Sequence, residues 1–201
     1  MTFTSGTLAV TGATVVGASA TQNGTVSFTT GTFTGTTTAS ISAGSDITYT
    51  GAGSFTLTQE MTLNGSVSWN AATVSVASAR TAAAYGVGMA AGSTRTGGTG
   101  PHTLGSLDID GAGTVFTATS NTTTINGRQS GGTTARFGST AAVTFTHNSG
   151  TFDFTYTAAA SAIEVYNTNP TFYNYTLTHG ANSMVHYAAS AGKSLTIAGN
   201  L

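Results

Sequence analysis

The sequence has very few charged residues and no cysteine. Of its 201 residues, five are Lys or Arg and six are Asp or Glu. Globular domains usually carry about a quarter charged residues, so hydroxyl and amide groups must hold most of the surface water. Without cysteine no disulfide can form, and stability outside the cell has to come from packing and from hydrogen-bonded strands.

Charged helical faces, long apolar runs and basic clusters are missing as well. Glu60 and Glu164 are the only glutamates, so no segment can build a helical face of i,i+4 ion pairs. No apolar stretch approaches the roughly 20 residues that a membrane span requires. The formal net charge is -1 and basic residues do not cluster, which argues against a nucleic-acid partner. No membrane span and no nucleic-acid binding are therefore expected.

What the sequence does contain is Thr, Gly and Ser in short alternating runs, with 44, 27 and 21 copies respectively. From 151 to 157, Phe152, Phe154 and Tyr156 alternate with polar residues, which is the period of a half-buried strand. Gly, Asn or Ser separates each such run from the next. The pattern predicts strands at 7–11, 25–29, 46–50, 54–58, 61–63, 66–70, 73–77, 104–110, 142–146, 162–166, 171–178, 184–187 and 194–198.

The spacing of these strands leaves two all-β architectures open. From Val143 onward the strand centres lie ten or eleven residues apart, which suits a parallel β-helix or an antiparallel β-sandwich of the jelly-roll kind. Asn148, Asn174 and Asn200 lie 26 residues apart, as expected if stacked coils of a β-helix align them in a ladder. We predict a parallel β-helix, with the sandwich as the alternative. Residues 1–201 are expected to form one elongated domain, a segment of a larger or repeating assembly.

Two stretches interrupt the alternation and are predicted to be loops that protrude from the body. The stretch 80–102 is rich in Ala, Gly and Thr, and the second, shorter stretch is 128–139. Together they contain all the arginines of the chain. Because loops on a rigid scaffold often carry recognition, we expect the recognition residues to be Arg80, Tyr85, Arg95, His102, Arg128 and Arg136.

The C-terminal third resembles known repeats. The segments 144–152 (TFTHNSGTF), 171–177 (TFYNYTL) and 194–201 (SLTIAGNL) are similar to Thr/Gly-rich repeats of large bacterial surface adhesins of the haemagglutinin and autotransporter type, and to repeats of phage tail and fibre proteins. The resemblance covers roughly residues 142–201. It implies a parallel β-helix used as a stalk or fibre, with recognition by loops or by the tip, and it implies no catalytic residue.

Acidic residues offer only weak candidates for a catalytic or metal site. Asp108 and Asp110 place two carboxylates on one strand face, which a glycosidase or a hard-cation site requires. However, no third acid lies nearby in sequence. Asp153 and Glu164 fit solvent-facing strand positions. We therefore predict no catalytic residue and no metal site.

The histidines and serines give no motif either. His102, His147, His179 and His186 are too scattered for metal-ligand spacing. No Gly-x-Ser-x-Gly turn identifies a nucleophile. No cofactor is predicted.

These observations favour a non-enzymatic structural module of an extracellular or virion fibre that associates with copies of itself. Residues 1–6 contain neither a basic nor an apolar region, so no secretory signal is expected in this chain. A first alternative is a carbohydrate-binding adhesin or phage receptor-binding tip that binds a cell-surface glycan. Its candidate sugar-stacking residues are Trp69, Tyr85 and Tyr173.

Two further alternatives are kept. One is a polysaccharide-degrading enzyme on a β-helix, with Asp108 and Asp110 near an arginine. The other is an ice-binding solenoid, because Thr-x-Thr recurs, most densely in residues 30–36. A flat hydroxyl array requires these repeats to stack in register, and their uneven spacing along the chain argues against that stacking.

Overall fold

The computed structural model describes most of the chain. The described residues are 1–12, 14–16, 24–36, 38–77, 86–109, 112–126, 134–138, 143–156, 161–166, 170–179, 184–188 and 194–201, with the backbone alone described at 134–138, 156, 161–166, 179 and 184–188. Every regular element among them is a β-strand.

The strands are short, mostly three to six residues, and inward and outward residues alternate along them. In chain order they are β1 (Thr2–Phe3), β2 (Thr7–Val10), β3 (Thr14–Val16), β4 (Thr25–Phe28), β5 (Thr32–Gly35), β6 (Ala39–Ile41), β7 (Asp46–Tyr49), β8 (Ser54–Leu57), β9 (Met61–Leu63), β10 (Ser66–Ser68), β11 (Thr73–Val76), β12 (Val87–Met89), β13 (Thr94–Thr96), β14 (His102–Leu104), β15 (Leu107–Ile109), β16 (Val115–Thr117), β17 (Thr122–Ile125), β18 (Thr134–Gly138), β19 (Thr144–Thr146), β20 (Thr151–Tyr156), β21 (Ser161–Tyr166), β22 (Thr171–Phe172), β23 (Asn174–His179), β24 (Met184–Ala188) and β25 (Thr196–Ile197).

The chain winds into a parallel β-solenoid. Every third strand joins the same sheet, so that sheet A is β1-β4-β7-β10-β13-β16-β19 and sheet B is β2-β5-β8-β11-β14-β17-β20-β23. Sheet C runs from β3 through β6, β9, β12, β15, β18 and β21 to β24, and β22 pairs with β25. All of the described strand pairs are parallel. The prediction of a parallel β-helix is therefore confirmed, and the antiparallel sandwich is excluded because it requires hairpin pairing.

The coils differ in length, but the strands stay in register. Ser54 and Thr73 are paired at a separation of 19 residues, whereas Leu107 and Phe137 are paired at a separation of 30. The extra residues of the longer coils lie between the strands, because each coil supplies one strand to each sheet. Uneven spacing in the sequence is thus compatible with regular stacking in space.

The loop prediction for 80–102 is wrong for most of that stretch. Residues 87–89, 94–96 and 102–104 are strands β12, β13 and β14 in the three sheets of the body. Glycines in this stretch allow the backbones of neighbouring coils to lie close together. At Gly100, for example, a Cβ atom would lie 2.0 Å from the carbonyl oxygen of Ala72. The prediction for 128–139 is wrong at 134–138, which form β18 and pair with β15 and β21.

Aromatic side chains stack along the interior in the N-terminal half. Phe3, Phe28 and Tyr49 occupy paired positions in sheet A, and their ring centroids are 5.0 and 4.8 Å apart. Phe33 and Phe55 form a second column in sheet B at 4.8 Å. Both columns reach Trp69, which contacts the rings of Tyr49 and Phe55.

A second aromatic cluster fills the interior of the C-terminal half. It begins at Phe116, whose ring stacks on Phe145 at 5.6 Å, and continues through Phe152 and Phe172 to Tyr175. Rings at these distances add attraction beyond the apolar area they bury. The two clusters lie on either side of the coil that contains β13 and β14.

Polar side chains tie the corner between sheets A and B to the preceding coil. The Thr30 hydroxyl donates to the carbonyl of Thr4 at 3.0 Å, and the Asn148 amide donates to the carbonyl of Ala118 at 3.1 Å. The predicted Asn ladder forms only in part. Asn200 donates to Asn174 Oδ1 from its backbone and its side-chain amide at 3.1 and 3.3 Å, while the Asn148 amide bonds to Ala118 instead.

Candidate functional site

The most unusual feature of the interior is a buried arginine on β13. Arg95 follows the alternation of Thr94-Arg95-Thr96, so its two neighbours face outward and its own side chain faces inward. The side chain is 1 % exposed. It lies between the two aromatic clusters, with its guanidinium carbon 4.7 Å from the ring centroid of Phe116, a cation-π contact.

Arg95 has one hydrogen-bonding side chain beside it. Its Nη2 atom lies 2.6 Å from Nδ1 of His102, which is also 1 % exposed. A guanidinium has donors and no acceptor, so Nδ1 accepts this bond, and the proton of the neutral imidazole is on Nε2.

Burial changes the proton affinity of both groups. Desolvation lowers the pKa of Arg95 to about 9, because the low-dielectric interior disfavours the charged form. Desolvation also lowers the pKa of His102 well below its usual value, and the charge of Arg95 lowers it further, while the backbone of Gly97 opposes the effect. At neutral pH the pair therefore carries one positive charge, on the guanidinium.

Three buried polar atoms, on Arg95 and on residues of the neighbouring coils, have no hydrogen-bond partner among the described residues. They are Nη1 of Arg95, Nε1 of Trp69 and Oγ1 of Thr123. Thr123 is the register partner of His102 on the next coil, and the backbone N–H of Trp69 donates to the carbonyl of Thr96 at 3.0 Å. The two nitrogen atoms can only donate and the hydroxyl can donate, so these atoms suit an anion or a water oxygen rather than a cation.

The outward surface of sheet A carries a second feature, a regular array of hydroxyl groups. One column of register partners is made entirely of Thr and Ser: Thr2, Ser27, Thr48, Ser68, Thr96, Thr117 and Thr146. The neighbouring column is Thr25, Asp46, Ser66, Thr94, Val115 and Thr144. We refer to these two columns as the hydroxyl face.

Spacing on the hydroxyl face follows from β geometry. Adjacent strands are about 4.7–4.9 Å apart, and alternate residues of one strand are roughly 6.6 Å apart. Sheet B has a similar outward column from Thr34 to Thr124, but the next residue in that column is Asp153. In the neighbouring outward column of sheet B, Pro101 stands directly before β14 and interrupts the hydroxyl groups. Sheet C has no such array among its described positions, since Thr62 is followed by Gly88 and Asp108.

The three predicted recognition residues that the structure describes lie on strands rather than in loops. Arg95 and His102 lie in the core, which contradicts their assignment to an exposed loop. Arg136 lies on β18, where its backbone is paired with that of Glu164 on β21. The remaining three, Arg80, Tyr85 and Arg128, lie outside the described residues.

The predicted sugar-stacking residues have different environments. Trp69 is 1 % exposed and part of the core, so it cannot stack on a ligand at the surface. Tyr173 is 38 % exposed and stacks on His147, with ring centroids 5.5 Å apart. Tyr85 lies outside the described residues.

The acidic candidates that the structure describes lie on different strands. Asp108 is 7 % exposed on β15, and Asp110 lies outside the described residues. Asp153 accepts a hydrogen bond from the Thr155 hydroxyl at 2.9 Å on the outer side of β20. In the described part of the chain, no three His, Cys, Asp or Glu side chains come together as a group that could hold a metal ion.

Sequence reasoning missed both features for related reasons. The Gly-rich composition of 86–100 suggested a loop and so concealed β13. The alternation Thr94-Arg95-Thr96 was the signal that Arg95 faces inward. Thr-x-Thr alternation also indicated outward hydroxyl groups on other strands, but the uneven coil lengths concealed which of those strands pair. Among the described residues no helix is long and apolar enough to cross a membrane.

Comparisons of this chain with protein-family models, with curated proteins and with solved structures give no match.

Proposed function

We propose that this chain is a non-enzymatic structural module of an extracellular or virion fibre, in which copies associate end to end. The observation that carries the proposal is the arrangement of the outermost strands. In the described part of the chain, β1, β2 and β3 each pair on one side only, as do β23, β24 and β25 at the other end. Unpaired strand edges recruit further strands unless something blocks them.

The backbone of β2 indicates which groups are available for such pairing. Thr32 donates to the carbonyl of Gly6 at 2.8 Å, and Thr36 donates to the carbonyl of Val10 at 3.0 Å. Backbone groups of alternate residues face opposite edges of a strand. Gly6, Leu8 and Val10 therefore face the next coil, and the N–H of Ala9 faces the outer edge.

The opposite end presents apolar surface next to its edge. Leu177 on β23 pairs in register with the buried Phe154, yet it is 40 % exposed. A second copy added below β23 would cover this side chain, and burying apolar area is the main favourable term in association. Edge pairing and apolar burial thus support the same end-to-end contact.

Ala9→Pro tests this contact at the first edge. Proline removes an N–H that no described strand uses, and proline is tolerated on edge strands. We expect the native chain to form rods whose length increases with concentration in negative-stain images and sedimentation. The A9P variant should remain dispersed, with an unfolding midpoint close to native.

Ala9→Thr is the matched control, because it keeps the N–H and favours a strand. It should assemble like the native chain. A native chain that stays monomeric at high concentration, or an A9P variant that forms rods as readily as A9T, would contradict the proposal.

The hydroxyl face supports a second candidate function, the binding of ice. Stacking in register was the requirement that the uneven sequence spacing argued against, and the strand register meets it on sheet A. Each Thr hydroxyl can donate and accept hydrogen bonds, while the branched side chain is rotationally restricted. The distances between hydroxyl groups in such an array, set by the strand spacing, are similar in scale to the distances between oxygen atoms at an ice surface.

Thr96→Lys tests the ice-binding candidate. Thr96 is exposed within the unbroken column, so a long charged side chain there should disrupt the array without affecting the core. Ice recrystallisation inhibition and thermal hysteresis should both fall severalfold. Thr62→Lys is the control, because Thr62 is an equally outward, exposed Thr on sheet C.

T62K should behave like the native chain in both assays. Loss of activity in T62K as large as in T96K, or a native chain that leaves ice growth unchanged, would exclude the hydroxyl face as an ice-binding surface. Rod formation is measured separately, so this outcome does not bear on end-to-end association.

A further inference from the structure

We propose that the interior of the solenoid holds one chloride ion against the guanidinium of Arg95. Arg95 places a positive charge in the interior. Arginine keeps its proton in proteins, and a buried charge without a partner costs far more than a buried neutral group. Arg95 is 1 % exposed, and burial is the only cause that acts on its pKa, so no described carboxylate compensates it.

The unpartnered polar atoms on Arg95 and its neighbours are donors. Nη1 of Arg95 and Nε1 of Trp69 are donors without a partner among the described residues. The Thr123 hydroxyl, also unpartnered, is free to donate. Unpartnered donors on a buried cation and on its neighbours match an anion. A metal ion would need acceptors, which neither nitrogen group provides.

The layer that contains Arg95 is shielded from solvent. Trp69, Arg95, His102 and Thr123 are all at most 1 % exposed, and aromatic side chains pack on both sides of their layer. Burial of these described side chains favours a small ion over an organic carboxylate or a phosphate ester. A small monovalent ion balances the single charge of the pair, and chloride is the halide that biological fluids supply.

Linkage between ion binding and folding gives a direct test. An ion that binds only the folded state multiplies the folding equilibrium constant by one plus its concentration divided by Kd. Above Kd, a tenfold increase in chloride should therefore raise that constant about tenfold. The series uses denaturant unfolding of the full chain, with gluconate replacing chloride at constant ionic strength.

Arg95→Met is the control for general salt effects, because Met fills a similar volume without charge. Its folding constant should not change across the chloride series. If R95M does not fold, the native chain crystallised with bromide gives an independent readout: an anomalous difference peak next to Nη1 of Arg95 is expected.

Two results would overturn the proposal. One is an equal chloride response in the native chain and in R95M. The other is a bromide crystal without an anomalous peak at Arg95, with only a water-sized feature there, which would assign the unpartnered donors to buried water.

Discussion

Replacing Gly98 by alanine should unfold this protein or nearly so, with an expected loss of more than about 4 kcal/mol, the range reserved for severe backbone disruption. Gly98 has φ of +72°, and a Cβ atom there would lie 1.8 Å from the carbonyl oxygen of Asn70 on the preceding coil. That atom belongs to the backbone, so it cannot move without separating two coils. The carbonyl of Asn70 also accepts the N–H of Thr99.

Gly92→Ala separates the steric clash from backbone strain. Gly92 has φ of +73°, nearly that of Gly98, but a Cβ atom there would meet nothing within 4 Å. Gly92→Ala should lower the free energy of unfolding only by the cost of placing an alanine in the left-handed backbone region, about 1–2 kcal/mol. Urea unfolding of both variants gives the comparison, and equal losses would show that close packing of the coils at Gly98 does not control stability.

Replacing Trp69 by alanine should cost about 3–5 kcal/mol, the usual effect of deleting a large buried aromatic side chain. Trp69 joins the two N-terminal aromatic columns, with its ring 5.8 Å from that of Tyr49 and 4.8 Å from that of Phe55. Its removal leaves a cavity above the Arg95 layer, and the parallel strands around it cannot collapse independently because each is paired on both sides.

Tyr173→Ala is the matched control for Trp69→Ala. Tyr173 is an aromatic residue that is 38 % exposed, so its loss should cost less than about 1 kcal/mol. Thermal and urea unfolding measure both variants. A small loss in W69A would contradict the assignment of Trp69 to the core and would make it available again as a surface residue for stacking on a sugar ring.

The interior and the surface of this solenoid differ in what they tolerate. Inside, among the described residues, stacked rings and the buried cation of Arg95 lie on successive coils. Outside, Thr and Ser repeat with little size variation on sheet A. Changes to the interior should therefore act through stability, whereas changes to the hydroxyl face or to the outer edge of β2 should act through binding and assembly.

Sequence alone determined the all-β class and most of the strand positions. Alternation is a local property, so segments such as 54–58 and 73–77 could be identified from their own residues. Low charge and absent cysteine likewise followed directly from composition. The parallel β-helix was favoured by the equal Asn intervals, although only Asn174 and Asn200 hydrogen-bond to each other.

Only the tertiary structure decided what each strand pairs with and which side chains meet. Pairing in a solenoid joins residues 19 to 30 positions apart, and the variation hides the register from any fixed period. For that reason Arg95 and His102, read as loop residues from their Gly-rich surroundings, proved to be hydrogen-bonded core residues. For the same reason, Thr residues that look irregular in the sequence form continuous columns on sheet A, because the coil of the backbone brings distant residues to one strand spacing.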